Sequence, residues 1–296
     1  MNKIIYYIDV LLAHNVSEEF TYKHETIEKP RVGMIVLAPL RSGEKIGVIT
    51  KVNSVLNDSK IKLKFIKEIS PEYRLNSKMI KFLNWVSNYN LIDRGLVLKM
   101  ILSHSKFYFK KKKIKELNSN IKRNVKAIKL SLEQKKASQD ILKIFQQRNF
   151  KPVLLDGVPG SGKTEVYFDV IKKFIKDGEQ VLIMFPEVSL TGDFVNRIEE
   201  RFGFSPVVWH SKISTAYKTK VLKSIIDGTS QIIVGARSSL FLPYKNLSMI
   251  VLDEEHDSSY KQEEQGIYHA RDMSVVKSSI EDIPIILTSA TPSLET

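Results

Sequence analysis

The second half of the chain is organised by short runs that are apolar at every position. They are Val153-Leu154-Leu155, Val181 to Phe185, Met249 to Leu252 and Ile285-Ile286-Leu287, each closed by small, polar or acidic residues. Runs without polar alternation predict strands buried on both faces, as in a parallel sheet. Between them the period lengthens, predicting helices over Glu165 to Ile175 and from Ala137 through Ile141 to Ile144. The first hundred residues read differently. Ile4 to Leu12, Val32 to Leu37, Lys45 to Val52 and Ile61 to Ile69 are β-branched or alternating, with turn signals such as Arg41-Ser42-Gly43 between them. A helix follows, with Met79, Phe82, Leu83, Val86 and Tyr89 on one stripe. The fold class is therefore α/β: a β-rich domain over residues 1–105, a connector over 106–129, and a mainly parallel α/β lobe over 130–296.

Candidate chemistry sits where these runs end. Gly157-Val158-Pro159-Gly160-Ser161-Gly162-Lys163-Thr164 joins a strand end to a helix start, the context a phosphate-binding loop requires. Backbone N–H groups wrap a phosphate chain only where side chains are pared away, and the following helix turns its positive end to the same anion. Lys163 is expected to reach the β- and γ-phosphates of ATP and Thr164 to hold Mg²⁺ through its hydroxyl. Asp253-Glu254-Glu255-His256 follows the apolar run Met249 to Leu252. Carboxylates at the end of a buried parallel strand lie where α/β sheets collect ligands. Asp253 is read as the Mg²⁺ carboxylate, and Glu254 as the group that polarises the attacking water. Thr288-Ser289-Ala290-Thr291 closes the last apolar run and suits a hinge that senses phosphate.

Charge narrows the partners. The chain carries 46 Lys+Arg against 33 Asp+Glu, a net +13. Residues 1–130 hold 26 basic and 11 acidic residues, and the remainder 20 and 22. The positive excess therefore precedes the phosphate loop, which points to contact with a nucleic-acid backbone; a compositional bias toward Lys is the alternative. The connector combines Lys106, Lys110, Lys111, Lys112 and Lys113 with Phe107, Tyr108 and Phe109. Either the lysines neutralise phosphates while the rings stack on bases, or this is a solvated linker whose rings cap the preceding domain. There is no Cys, hence no disulfide or thiolate metal site, consistent with a reducing cytoplasm. No apolar run reaches membrane-spanning length.

Taken in order, the phosphate loop, Asp-Glu-x-His and Ser-Ala-Thr form a helicase series. Longer runs sharpen it: Leu155 to Tyr167, Pro186 to Thr191, Val234 to Phe241, Asp253 to Gln262, Tyr268 to Val275 and Ser289 to Glu295. These resemble the primosomal replication-restart helicase family, the PriA proteins. The resemblance implies a RecA-like P-loop lobe and an ATP-dependent 3′→5′ DNA helicase acting on forks, single strands and 3′ ends. Primosome and single-strand-binding proteins are its implied partners. It places Gln134 against adenine, an exposed helix-start glutamine being the alternative, and His256 with the ATP site. It also places Pro186, Arg237 and Ser238 on single-stranded DNA, and Tyr260, Lys261, Tyr268 and Arg271 in a loop coupling DNA to hydrolysis. Buried tyrosines are the alternative for that loop.

In the N-terminal domain the resemblance implies a pocket for the 3′ end of a strand, built from a Phe-Asp-Tyr run and a Lys. Here Phe20 and Tyr22 match, Lys64 is the candidate lysine, and Thr21 stands where the acid is expected. Selective capture of a free 3′ end is accordingly expected to be weak. The family's winged-helix domain has no room in two dozen residues. The second motor lobe and zinc-binding Cys cluster are also absent, so zinc is expected only in a C-terminal part beyond this chain. The chain is read as the N-terminal part of such a helicase or as a truncated DNA-binding module that binds ATP without translocating.

Overall fold

The computed structural model describes residues 3–41, 43–53, 62–104, 107–109, 117, 125, 128–186, 192–264 and 266–294. It divides into two compact units, 1–113 with 263–267, and 114–262 with 268–296.

The first unit is built on an antiparallel sheet of β1 (Ile4–Leu12), β2 (Glu19–Thr26), β3 (Met34–Leu40), β4 (Gly43–Val52) and β5 (Glu68–Arg74), in the order β2-β1-β4-β3-β5. One face buries Ile8, Val10, Leu12, Tyr22, Val36, Ala38 and Ile49. The alternation expected of a sheet covered on one side is clear in β2, where Tyr22 points inward and Thr21 and Lys23 lie on the other face. Its polar composition hid β2 from the apolar pattern, whereas the strand expected over Ile61 to Ile69 lies later, at Glu68–Arg74. Helix α1 (Ser77–Asn90) is capped by Asn76, whose side chain accepts from the Met79 N–H at 2.7 Å. Met79, Phe82, Leu83 and Val86 are buried as expected; Tyr89 is not, and stacks on Trp85 with ring centroids 4.6 Å apart. Phe107 and Tyr108 are buried against Tyr73, at 4.9 and 5.7 Å between centroids, and Ser70 donates to the Tyr108 carbonyl at 2.8 Å. These two rings cap the domain and do not meet bases.

The second unit carries six parallel strands: β6 (Pro152–Asp156), β7 (Gln180–Met184), β8 (Val207–Trp209), β9 (Ile232–Gly235), β10 (Leu247–Leu252) and β13 (Ile285–Ser289). Their order is β6-β13-β10-β7-β9-β8. Every residue of β7, β9, β10 and β13 is buried, which is why these strands read as unbroken apolar runs. The helices are α3 (Leu132–Ile144), α4 (Lys163–Phe174), α5 (Gly192–Phe202), α6 (Thr215–Asp227) and α7 (Ala270–Glu281), with a two-stranded ribbon of β11 (Lys261–Gln262) and β12 (Tyr268–His269). Asp169 of α4 ties three helices together. It accepts from Ser138 of α3 and Lys173 of its own helix, at 2.6 Å each, and lies 3.7 Å from Arg201 of α5. Burial acts to raise its pKa, but these donors and charges prevail and hold it below the ordinary value.

In the first unit, α2 (Arg94–Ile101) begins directly against the β1–β2 loop, where the Gly95 N–H donates to the Val16 carbonyl at 2.8 Å. A Cβ on Gly95 would lie 2.1 Å from the His14 oxygen, 2.5 Å from that of Leu12 and 2.6 Å from that of Val16. These are backbone atoms that cannot rotate away. We therefore expect Gly95→Ala to destabilise the protein by about 2 kcal/mol or more in urea unfolding. Gly192→Ala, where a Cβ meets nothing within 4 Å, should be near neutral. An unchanged midpoint for Gly95→Ala would show that α2 does not seat as described.

Candidate functional site

The phosphate loop lies between β6 and α4 as its sequence requires. Gly160 (φ 79°) and Gly162 (φ 82°) occupy the left-handed region that side-chain-bearing residues avoid. Crowding adds to the demand at Gly162, where a Cβ would sit 2.4 Å from the Gln134 amide nitrogen. Val158 is exposed, and Pro159 and Ser161 continue the open side of the loop. Lys163 is buried and its Nζ donates to the Gly157 carbonyl at 2.7 Å. Gln134 reaches the loop from α3. Its Oε1 accepts from the Ser131 N–H at 2.9 Å within a capping box, and its Nε2 donates to the Ser161 carbonyl at 2.9 Å. Its amide thus ties the N-terminus of α3 to the loop.

The acid cluster follows β10. Asp253 is buried, and its Oδ1 accepts from the Thr288 hydroxyl while its Oδ2 accepts from the Tyr167 phenol at 3.1 Å. Thr164, in the first turn of α4, hydrogen-bonds the same tyrosine. Burial raises the Asp253 pKa, against the bonds from Thr288, Tyr167 and the Glu254 N–H and against the Lys163 charge. Glu254 adopts φ 49°, a left-handed backbone uncommon outside glycine. That turn leaves its side chain partly exposed while Asp253 and Glu255 are buried. His256 Nδ1 lies 2.7 Å from the Ser289 hydroxyl and 3.7 Å from Glu254.

Strand β13 lies between β6 and β10 and touches both motifs. The Ser289 carbonyl accepts from the Gly157 N–H at 3.2 Å, and the Thr288 carbonyl from the Glu255 N–H at 2.9 Å. Among the described residues no group of three or more His, Cys, Asp or Glu is placed to hold a metal. One buried carboxylate beside a hydroxyl fits Mg²⁺, which keeps waters and takes further oxygens from phosphates.

Several residues expected on DNA are interior. Arg271 is buried, 3.5 Å from Glu255, and bonded to Asp272 at 2.9 Å and Ser293 at 2.5 Å; drawing it out to DNA would take its charge away from the buried Glu255 carboxylate. Tyr260 is fully buried and donates to the Asp253 carbonyl at 2.7 Å. Tyr268 packs edge-on against Phe241 at 5.3 Å, and burial pushes its pKa up to about 12. Pro186 is buried. Arg237, Ser238 and Lys261 keep exposure, and Arg237 donates to the Lys261 carbonyl. In the first unit, Tyr22 belongs to the core and donates to the Pro39 carbonyl at 2.9 Å, and Phe20 packs beside it. Lys64 is exposed. Lys110, Lys111, Lys112 and Lys113 fall outside the described residues, as do 187–191. Two groups were missed: Phe65, exposed beside Lys64, and Asp9, whose Oδ1 accepts from the Thr21 hydroxyl at 2.7 Å. The β1–β2 register, invisible in sequence, brings Asp9 and Thr21 together.

Residues 131–296 match the DEAD/DEAH box helicase family model, and residues 9–103 match the 3′DNA-binding domain (3′BD) model. The chain belongs to the DEAD/DEAH box helicase family. Curated relatives that it matches are named replication restart protein PriA. That of Rickettsia felis is 40% identical over 266 residues, 90% of this chain and 40% of the relative. That of Bacillus subtilis is 43% identical over 166 residues, covering 56% and 21%. The chain thus spans about two fifths of the length of its Rickettsia relatives. A solved structure, the ATP-dependent Type ISP restriction-modification enzyme LlaBIII bound to DNA, is 18% identical with a TM-score of 0.41, covering 56% of this chain and 13% of that one. The resemblance read from the motifs and the two-part fold both hold. Among the described residues no helix is long and apolar enough to cross a membrane.

The Asp253 environment yields a direct expectation. Thr288→Val removes one donor from a buried carboxylate, so its pKa should rise further. Mg²⁺-dependent ATP binding should weaken roughly tenfold at neutral pH. As pH falls, protonation should abolish it at a higher pH than in the wild type. Titration with a fluorescent ATP analogue across pH checks this, and superimposable profiles would separate Thr288 from the metal site.

Proposed function

We propose that the chain is the DNA-capturing and ATP-binding part of an ATP-dependent helicase that moves 3′→5′ on DNA and restarts replication at stalled forks. The supporting observation is the convergence on β13 of the phosphate loop, through Gly157, and the buried Asp253, through Thr288. A lobe wired this way links occupancy of the phosphate site to strands that end on the DNA-facing side. Residues 9–103 hold the 3′ end of a strand, and Arg237, Ser238 and Lys261 meet the single strand. The enzyme is cytoplasmic, with primosome and single-strand-binding proteins as partners.

In this reading the loop amides from Gly157 to Gly162 wrap the phosphates of ATP, and Lys163 moves from the Gly157 carbonyl to the β- and γ-phosphates. Thr164 and Asp253 would hold magnesium, which when bound would neutralise charge developing on the phosphates. Glu254, turned outward by its left-handed backbone, orients the attacking water and accepts its proton. His256 and Ser289 hold the turn that presents it.

Glu254→Gln in the full-length protein should leave ATP affinity within about twofold and lower DNA-stimulated phosphate release at least a hundredfold. Lys163→Ala should abolish ATP binding. Normal turnover by the first variant, or normal ATP affinity in the second, would place the chemistry elsewhere. DNA affinity should also fall steeply with salt. Replacing Lys110, Lys111, Lys112 and Lys113 with Gln should flatten the log–log slope by roughly 3 to 4 if each touches a phosphate, each lost contact removing about 0.7 to 0.9. An unchanged slope would make the segment a linker.

A further inference from the structure

The solvent-facing side of the β1–β2 pair carries a group that no motif indicates. Asp9 is opposite Thr21 on β2 and opposite Lys51 on β4. The Thr21 hydroxyl donates to Asp9 Oδ1 at 2.7 Å, which fixes the carboxylate, and no described residue donates to Oδ2. With its proton committed, the Thr21 oxygen presents only lone pairs. The pair therefore forms an edge made entirely of acceptors. Such an edge takes a hydrogen-bond donor and repels an anion.

Its surroundings supply what a nucleotide needs. Residues 64–66 run along the outer edge of β2, with the Lys23 N–H donating to the Lys64 carbonyl at 2.9 Å and the Ile66 N–H to the Lys23 carbonyl at 3.0 Å. That holds Phe65 at the surface, 50% exposed, with the Lys23 ammonium 6.0 Å from its ring centre. Thus an exposed ring, the cations Lys23 and Lys51, and a fixed carboxylate share one face of the sheet, across β2, β1 and β4. Rings stack on bases and lysines neutralise backbone phosphates. The carboxylate has no use for a phosphate; it needs a hydroxyl or an amino group.

We propose that Asp9, held by Thr21, is the specificity-determining residue of the N-terminal domain. It accepts a hydrogen bond from the free 3′ hydroxyl of a DNA strand and repels a 3′ phosphate. This rests on the reading that residues 9–103 hold a strand end. It reverses the expectation that a threonine at position 21 weakens end selection, because the acid comes from the neighbouring strand.

The test uses the 296-residue chain and three otherwise identical single strands ending in 3′ hydroxyl, 3′ hydrogen or 3′ phosphate. The wild type should prefer the hydroxyl end to the phosphate end about tenfold or more, like charges in a contact being strongly disfavoured. The 3′-hydrogen end should fall between them. Asp9→Asn should bring the hydroxyl-to-phosphate ratio below about threefold, chiefly by tighter binding of the phosphate end. Thr21→Val, which frees the carboxylate without removing it, should lower the ratio part of the way and guards against misfolding of the first variant. Equal loss for all three ends in Asp9→Asn, or a wild-type ratio near one with DNA still bound, would overturn the proposal and leave DNA binding standing. No binding to any strand would overturn the functional reading as well.

Discussion

The buried carboxylate of Asp253 constrains the whole nucleotide-binding lobe. A carboxylate removed from water must find donors, and here they come from three separate elements: Thr288 at the end of β13, Tyr167 in α4 and the backbone N–H of Glu254. Each bond fixes an element against its neighbour. Through them the strand order β6-β13-β10 becomes a requirement of the site, since only a strand between the other two can touch both motifs. The same geometry sets how a γ-phosphate would be felt, because any shift at Asp253 pulls on β13 and hence on Gly157.

The parallel lobe was largely legible in the sequence because β7, β9, β10 and β13 are buried on both faces, and burial leaves little polar alternation to blur the run; β6 departs from the expectation, since as an edge strand it leaves Leu154 exposed. Glycines at 160 and 162 announced a left-handed loop. The N-terminal sheet was harder. Strand β2 sets aromatic residues among polar ones at the edge of the sheet, so no apolar run marks it, and β5 lies several residues beyond its expected place. Tyr89 sits at the right helical spacing for the core stripe, yet the helix ends beside it and the ring turns outward onto Trp85.

Motif residues divided along a physical line. Positions whose function needs a particular backbone, from Gly157 to Thr164 and at Asp253, fell where the spacing placed them. Several aromatic and cationic side chains read as DNA contacts lie in the interior instead, because ring and charge say nothing of depth, whereas Lys64, Arg237 and Lys261 keep exposure. Tyr260 and Arg271 support the acid cluster from within, Tyr268 packs on Phe241, and Tyr22 belongs to the core. Asp9 was invisible for the opposite reason. It lies 12 residues from Thr21, and only the strand register makes them neighbours.

The central claim is that one buried carboxylate joins the phosphate loop, the acid cluster and β13 into a single nucleotide-sensing site. A crystal structure of the chain with Mn²⁺ and a non-hydrolysable ATP analogue tests it most directly. The account predicts anomalous density beside Thr164 and Asp253, phosphates along Gly157 to Thr164, and the Thr288–Asp253 bond intact. Metal density away from Asp253, or phosphates outside that loop, would contradict it.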